Sequence, residues 1–310
     1  MMTAIDNFLD TGFVNLGEII DKKQCKELMK LLHNLRSFEQ NFFKKNIFLD
    51  ENDPDVNIME RGVGPGPGRN LVEKVSLDFI EKNKELQNVL SDILGSDYKI
   101  MTKKFVMGIP QNMIPDWILE KTKGVGSVNL CAYIKPEYRD MTYFHGIDFH
   151  QDIIDHKERK GDFVTLYVYL EDVTENMSPL FVVPNSHIFG ATVFPHEIEI
   201  ENQENLIYGN RNGKKEKLSF KMLTGNAGTV YFWSEYSLHG TQPTLETDVP
   251  RISLRYLIER GTSNENLPID TFLENIDGQL ELKNTRVESL DSGKNVKTGN
   301  QLAKEQKNSI

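Results

Sequence analysis

Cysteine is scarce in this chain. Cys25 and Cys131 are the only two in 310 residues, so no disulfide framework holds the fold. Cys25 fits a helix face and Cys131 a strand, which predicts buried free thiols. No apolar run is long enough to cross a bilayer. Met1 to Phe8 lack the basic and apolar regions of a signal peptide. Positive charge is also short: 36 Lys and Arg stand against 46 Asp and Glu, a net charge of −10. That balance argues against a broad nucleic-acid surface. A Gly-Lys-Ser/Thr phosphate loop and internal repeats are missing too. The expectation is a cytoplasmic monomer or small homo-oligomer that meets a small molecule and neither nucleic acid nor membrane.

What is present divides unevenly. Residues 21–36 read as an amphipathic helix capped by Asp21, with Gln24 as its capping partner. A second helical segment spans about 74–94 and ends at Gly95. Between them, Gly62 to Gly68 alternate with prolines in a run no helix survives, either a surface loop or a lid. From about residue 98 the chain turns to short strands: 99–107, 128–135, 147–153, 163–171, 180–184, 219–223, 228–233, 238–242 and 250–258. Many short strands in that style predict a mainly β fold of jelly-roll type with flanking helices. The charged stretch 196–218 reads as a loop inserted between the two halves of the roll, and no element is read after 259. The division expected is one domain over 1–260, helical to 97 and jelly roll from 98, then a polar extension over 261–310.

His150-Gln151-Asp152 carries the chemistry. Side chains two apart on a strand share a face, so His150 and Asp152 can hold one metal with Gln151 turned away. His239, in Ser237-Leu238-His239-Gly240, would complete two imidazoles and one carboxylate. That set leaves coordination positions open and suits non-haem Fe(II) oxygenases. The competing pair His145 and Asp148 is three apart, the wrong spacing for one strand face. Downstream, Arg251, Ser253 and Arg255 alternate with apolar residues. Charges on an inward strand face need partners, and arginine grips a carboxylate with two parallel hydrogen bonds. Arg251 with Ser253 is the expected anchor of a dicarboxylate. Arg255 is the fallback, or else faces substrate or pairs with an acid.

These stretches resemble the phytanoyl-CoA dioxygenase family of Fe(II)/2-oxoglutarate oxygenases. The likeness runs through Asp10-Thr11-Gly12-Phe13-Val14, Phe149-His150-Gln151-Asp152, Leu166 to Val173, Pro184-Asn185-Ser186-His187, His239 and Arg251. It departs in two turns: Met177-Ser178 precede Pro179 where the family usually has Asn-Gly, and Asn185 replaces a glycine. The resemblance implies a double-stranded β-helix, a cupin-like jelly roll. It implies Fe(II) held by His150, Asp152 and His239, with 2-oxoglutarate and O2 as cosubstrates and hydroxylation of a small organic metabolite as the reaction. A carboxylate at Asp152 favours hydroxylation over halogenation, which needs a small residue there. The resemblance sets the Thr241 hydroxyl against the cosubstrate, and Tyr133, Thr165, Tyr167 and Asn129 on strands facing the same cavity. Trp233 and Trp117 are candidates for the substrate side, and His187 for a structural turn. Two rival readings remain: a jelly-roll binding protein, and a cupin-type metalloenzyme that uses no 2-oxoglutarate.

Overall fold

Arg251–Glu259 is the strand on which the architecture turns. Ile252, Leu254, Tyr256 and Ile258 join a large apolar cluster on one side, and Arg251, Ser253 and Arg255 fall on the other. The computed structural model describes residues 2–45, 65, 68–124, 127–156, 159–209, 213–243 and 249–276. Its strands are β1 Phe13–Glu18, β2 Lys99–Gly108, β3 Ser127–Asn129, β4 Thr142–His150, β5 Phe163–Tyr169, β6 Leu180–Val182, β7 Glu197–Ile200, β8 Asn205–Gly209, β9 Lys215–Ser219, β10 Lys221–Leu223, β11 Thr229–Ser234, β12 His239–Thr241 and β13 Arg251–Glu259. Its helices are α1 Ala4–Thr11, α2 Lys22–Leu35, α3 Asp78–Glu81, α4 Lys84–Leu94, α5 Asp116–Thr122 and α6 Pro268–Glu274. None is long and apolar enough to cross a membrane.

The main sheet runs β1-β11-β5-β13-β2-β4-β12-β6-β10, with β3 beside β4. It curls into a double-stranded β-helix, the jelly roll expected. Across the interior, the Tyr169 hydroxyl on β5 donates to the Leu223 carbonyl on the end strand β10 at 2.6 Å. Phe13, Val106, Tyr167, Tyr169, Leu180, Val182, Leu223, Tyr231 and Trp233 fill that interior. The outer face of β2, β5, β11 and β13 packs against the helices through Phe105, Met107, Leu166, Val168, Phe232 and Leu254. Alternation along each strand produces both faces at once.

Several expectations need correction. The helix read over 74–94 is broken, because the Asn83 side chain caps α4 by accepting from Leu86 N. The strand read over 128–135 ends at Asn129, and Cys131–Tyr133 is a 3-10 turn. The inserted stretch is not a loop: β7, β8 and β9 form their own antiparallel sheet. It packs Ile198, Leu206, Tyr208 and Leu218 with Phe149, Phe181, Phe189 and Phe220 of the roll. Beyond 259, α6 buries Ile269 and Phe272, and the Phe272 ring lies 4.7 Å from Phe8 of α1. The Gly/Pro run lies outside the described residues except Pro65 and Gly68, as do residues 277–310. Cys25 and Cys131 are buried and unpaired.

Both departures from the family's turn sequence sit where backbone conformation matters. Ser178 has φ +53° and Asn185 φ +67°. This is the left-handed region that glycine enters without cost, and asparagine more easily than most residues.

His187, in the turn after β6, is structural as expected. Its ring lies 4.6 Å from Phe272. Burial pushes its pKa down to about 4. The unfolded chain takes up this proton near pH 6.5 and the folded chain only near 4, so stability is lost as pH falls through that window. Denaturant titrations of the His187→Gln variant should show a stability slope between pH 6.5 and 4 that is shallower by about 1.4 kcal/mol per pH unit. Parallel slopes would mean that His187 takes its proton as readily in the folded state.

Candidate metal centre

Strand pairing brings the distant histidines together. In the β12–β4 register His239 stands opposite His150, and their rings are 4.2 Å apart. β4 ends at His150, and Asp152 opens a 3-10 turn, Asp152–Asp155. Gln151 nevertheless stays extended, with φ −112° and ψ 134°, so the alternation carries one residue past the strand. His150, Asp152 and His239 thus each offer a ligand atom within 4.8 Å of the others. His150 Nε2 is 3.6 Å from Asp152 Oδ1, and His239 Nε2 is 3.4 Å from Oδ2. The pair His145 and Asp148 forms no such group. His145 is instead buried within β4, its Nδ1 against the Ile109 carbonyl.

The imidazoles are oriented for coordination. His150 Nδ1 lies 2.9 Å from the Asp148 carbonyl and His239 Nδ1 3.0 Å from the Ser237 carbonyl. A carbonyl only accepts, so Nδ1 carries the proton and Nε2 keeps a lone pair for a cation shared with Asp152. This is how metal-binding histidines are held. The donor set, two neutral imidazole nitrogens and a carboxylate, fits Fe(II).

Gln151 explains why the segment holds its shape. It is fully buried, and its Nε2 donates to the carbonyls of Gly190 at 2.7 Å and Tyr236 at 2.6 Å. Its Oε1 accepts from Thr192 N at 2.9 Å. One amide therefore ties the metal segment to two other loops. Gln151→Leu strands all three partners and should lower stability by on the order of 3 kcal/mol in a denaturant titration. A loss within error of zero would show that these groups find other partners.

Asp152 is the electrostatic centre. Burial would raise its pKa, but the Arg255 guanidinium outweighs that and holds the carboxyl well below the usual range. Arg255 Nη2 donates to Oδ2 at 2.6 Å, and Thr165 Oγ1 donates to the same atom at 2.6 Å. Behind Thr165 lies Glu235, fully buried, its Oε1 at 3.2 Å from the threonine oxygen. Burial, reinforced by Asp152, raises Glu235 well above the ordinary glutamate range. Lys104, across from Arg255 in the β2–β13 register, is also buried. Burial first and then Arg255 push its pKa down to about 8.

The other expected residues fall as follows. Arg251 is 2% exposed and forms no ion pair with a described residue. Its Nη1 donates to Ser253 Oγ at 2.7 Å, and its Nε has no partner. Thr241 is buried two residues after His239, its hydroxyl 2.7 Å from that of Ser178. Thr165 and Tyr167 lie on the inner face of β5. The Tyr167 ring stacks on Trp233 at 5.4 Å, and Trp233 lies 4.9 Å from the His239 ring. Asn129, on β3, turns its Oδ1 to Cys131 N, and its Nδ2 is buried without a partner. Tyr133 is not on a strand. It sits in the 3-10 turn, edge-on to Trp117 of α5 at 5.7 Å.

Three residues near the centre go unread in the sequence: Glu235, Lys104 and His196. Lys104 had a signal, a lysine inside a strand otherwise destined for burial. Glu235 had one too, an acid directly after the apolar β11. His196 is buried with its Nδ1 2.7 Å from Thr192 Oγ1. Burial pushes its pKa down to about 3, so it stays neutral.

The phytanoyl-CoA dioxygenase (PhyH) family matches residues 8–252 of this chain. No curated protein matches it. Among solved structures, the epimerase SnoN in complex with Fe3+, alpha ketoglutarate and nogalamycin RO is similar over 89% of this chain and 90% of its own, at 14% identity and a TM-score of 0.47. EctD from S. alaskensis in its apoform is similar over 84% of this chain and 77% of its own, at 14% identity and a TM-score of 0.44. The non-haem monooxygenase ThoJ in its nickel complex is similar over 83% of this chain and 77% of its own, at 12% identity and a TM-score of 0.44.

Proposed function

The chain belongs to the phytanoyl-CoA dioxygenase family of Fe(II)/2-oxoglutarate-dependent oxygenases, and from that premise we propose that it hydroxylates a small organic metabolite. The observation that carries the reading is the convergence of two Nε2 lone pairs and one carboxylate. His150, Asp152 and His239 would hold the iron. The balanced reaction is substrate C–H plus O2 plus 2-oxoglutarate, giving substrate C–OH, succinate and CO2. Two of the four electrons that reduce O2 come from 2-oxoglutarate as it becomes succinate and CO2, and two from the substrate C–H bond; bound iron would pass them on with no net change of its own.

The remaining work belongs to the protein. Arg251 grips the distal carboxylate of 2-oxoglutarate. A buried guanidinium that has no carboxylate of a described residue within ion-pair distance favours such an anion strongly. Ser253 orients that guanidinium. The Thr241 hydroxyl, which donates to Ser178, would turn from that bond to meet the cosubstrate. The stacked Tyr167 and Trp233 wall His239 with apolar surface and keep water from the reacting centre. Thr165 serves the site through Asp152.

A screen of small metabolites that reads succinate release with Fe(II) and O2 tests this function. The expected result is 2-oxoglutarate-dependent succinate, increased by one class of substrate and matched by hydroxylated product. Substrate turnover without 2-oxoglutarate would point to a cupin-type enzyme. Binding without turnover would point to a binding protein.

A further inference from the structure

Asp152 is gripped from the side away from His150. Its Oδ2 takes two strong donors, Arg255 Nη2 and Thr165 Oγ1, each at 2.6 Å. No described residue donates a hydrogen bond to Oδ1, which lies 3.6 Å from His150 Nε2, while Oδ2 also lies 3.4 Å from His239 Nε2. Thr165 has a single hydroxyl proton, and the charged Oδ2 is nearer than Glu235 Oε1 at 3.2 Å. The proton therefore belongs to Asp152. Arg255 stands in the middle of β13, paired in register with Tyr167 of β5 and Lys104 of β2. Thr165 lies on β5 opposite Leu257 of the same strand. Both donors thus come from the rigid wall of the roll, whereas Asp152 sits in a short turn.

We propose that Arg255 and Thr165 are positioning residues that hold Asp152 by Oδ2 and so fix the orientation in which its carboxylate would meet a metal between His150 and His239. This rests on reading His150, Asp152 and His239 as the metal ligands. Hydrogen bonds to one oxygen remove a carboxylate's freedom to swing, and a charge-assisted bond from arginine is the strongest kind available. The pair also sets the orientation of Asp152 before metal arrives, without a contact to metal or substrate of its own.

The test is anaerobic titration of the full chain with Co(II), read as visible absorption and as a dissociation constant. Thr165→Val keeps the shape and removes the hydroxyl, and Arg255→Gln removes the charge. Each should weaken Co(II) binding by roughly 10- to 100-fold and alter the visible spectrum, which reports coordination. Thr165→Ser should restore both. A merely structural role would shift the unfolding midpoint of the metal-free chain and leave the spectrum alone. If Arg255→Gln does not fold, the two Thr165 variants decide the matter. Wild-type affinity and an unchanged spectrum in Thr165→Val and Arg255→Gln would overturn the proposal while leaving the metal site standing. A wild-type chain that takes up no Co(II), or an Asp152→Ala chain that takes it up as tightly, would remove the metal-site reading and the proposal with it.

Discussion

Arg251→Ala should raise the concentration of 2-oxoglutarate required for half-maximal succinate release by roughly 30- to several-thousand-fold. That range is the cost of truncating one partner of a buried, hydrogen-bonded charge pair, about 2–5 kcal/mol. Arg251 qualifies because its side chain is buried and its Nε is left unpaired until an anion arrives. The requirement for the hydroxylated substrate should move far less. Arg255→Ala should behave differently. Its guanidinium is already committed to Asp152, so cosubstrate affinity should hold wherever metal is saturating. Direct binding measurements at saturating Mn(II) separate the two arginines. An exchange of their effects would make Arg255 the anchor.

Asp152→Ala should bring turnover to the background rate and abolish tight metal binding. It also has a structural effect. Arg255 loses its acidic partner inside the roll, and an unpaired buried charge costs about 3–5 kcal/mol. Asp152→Asn keeps an oxygen for Arg255 and should unfold later than the alanine variant while remaining inactive. Denaturant titrations beside Fe(II) binding separate the two effects. Full activity in either variant would remove the metal centre as described.

The parts of this fold legible in the sequence are those with a strong local period. β13 and β5 alternate so regularly that their inner and outer faces can be read directly, Arg251 and Ser253 included. Leu130-Cys131-Ala132-Tyr133-Ile134 reads as a strand because a short apolar run looks alike in a buried strand and a buried turn. The insertion was misjudged on charge, although Glu197-Ile198-Glu199-Ile200 carries the two-residue period of β7. α6 is a short helix whose stability comes from docking Phe272 on Phe8 and His187, which local propensity does not reveal.

In the site, the motif around His150 and the isolated His239 are visible in the sequence. Their pairing in one register is not. The bond from Arg255 to Asp152 is tertiary, between residues far apart in the chain, and the sequence offers only an arginine that has to face inward. Glu235 is harder still. A buried carboxyl looks like any surface glutamate until its surroundings are known.

The account turns on one metal held by His150, Asp152 and His239, with 2-oxoglutarate bound through that metal and Arg251. Anaerobic calorimetric titration of the wild-type and Asp152→Ala chains, first with Fe(II) and then with 2-oxoglutarate, tests it most directly. The predicted result is one Fe(II) per wild-type chain, 2-oxoglutarate binding only after the metal, and loss of both in Asp152→Ala. Equal 2-oxoglutarate binding with and without Fe(II), or undiminished Fe(II) binding in Asp152→Ala, would contradict it.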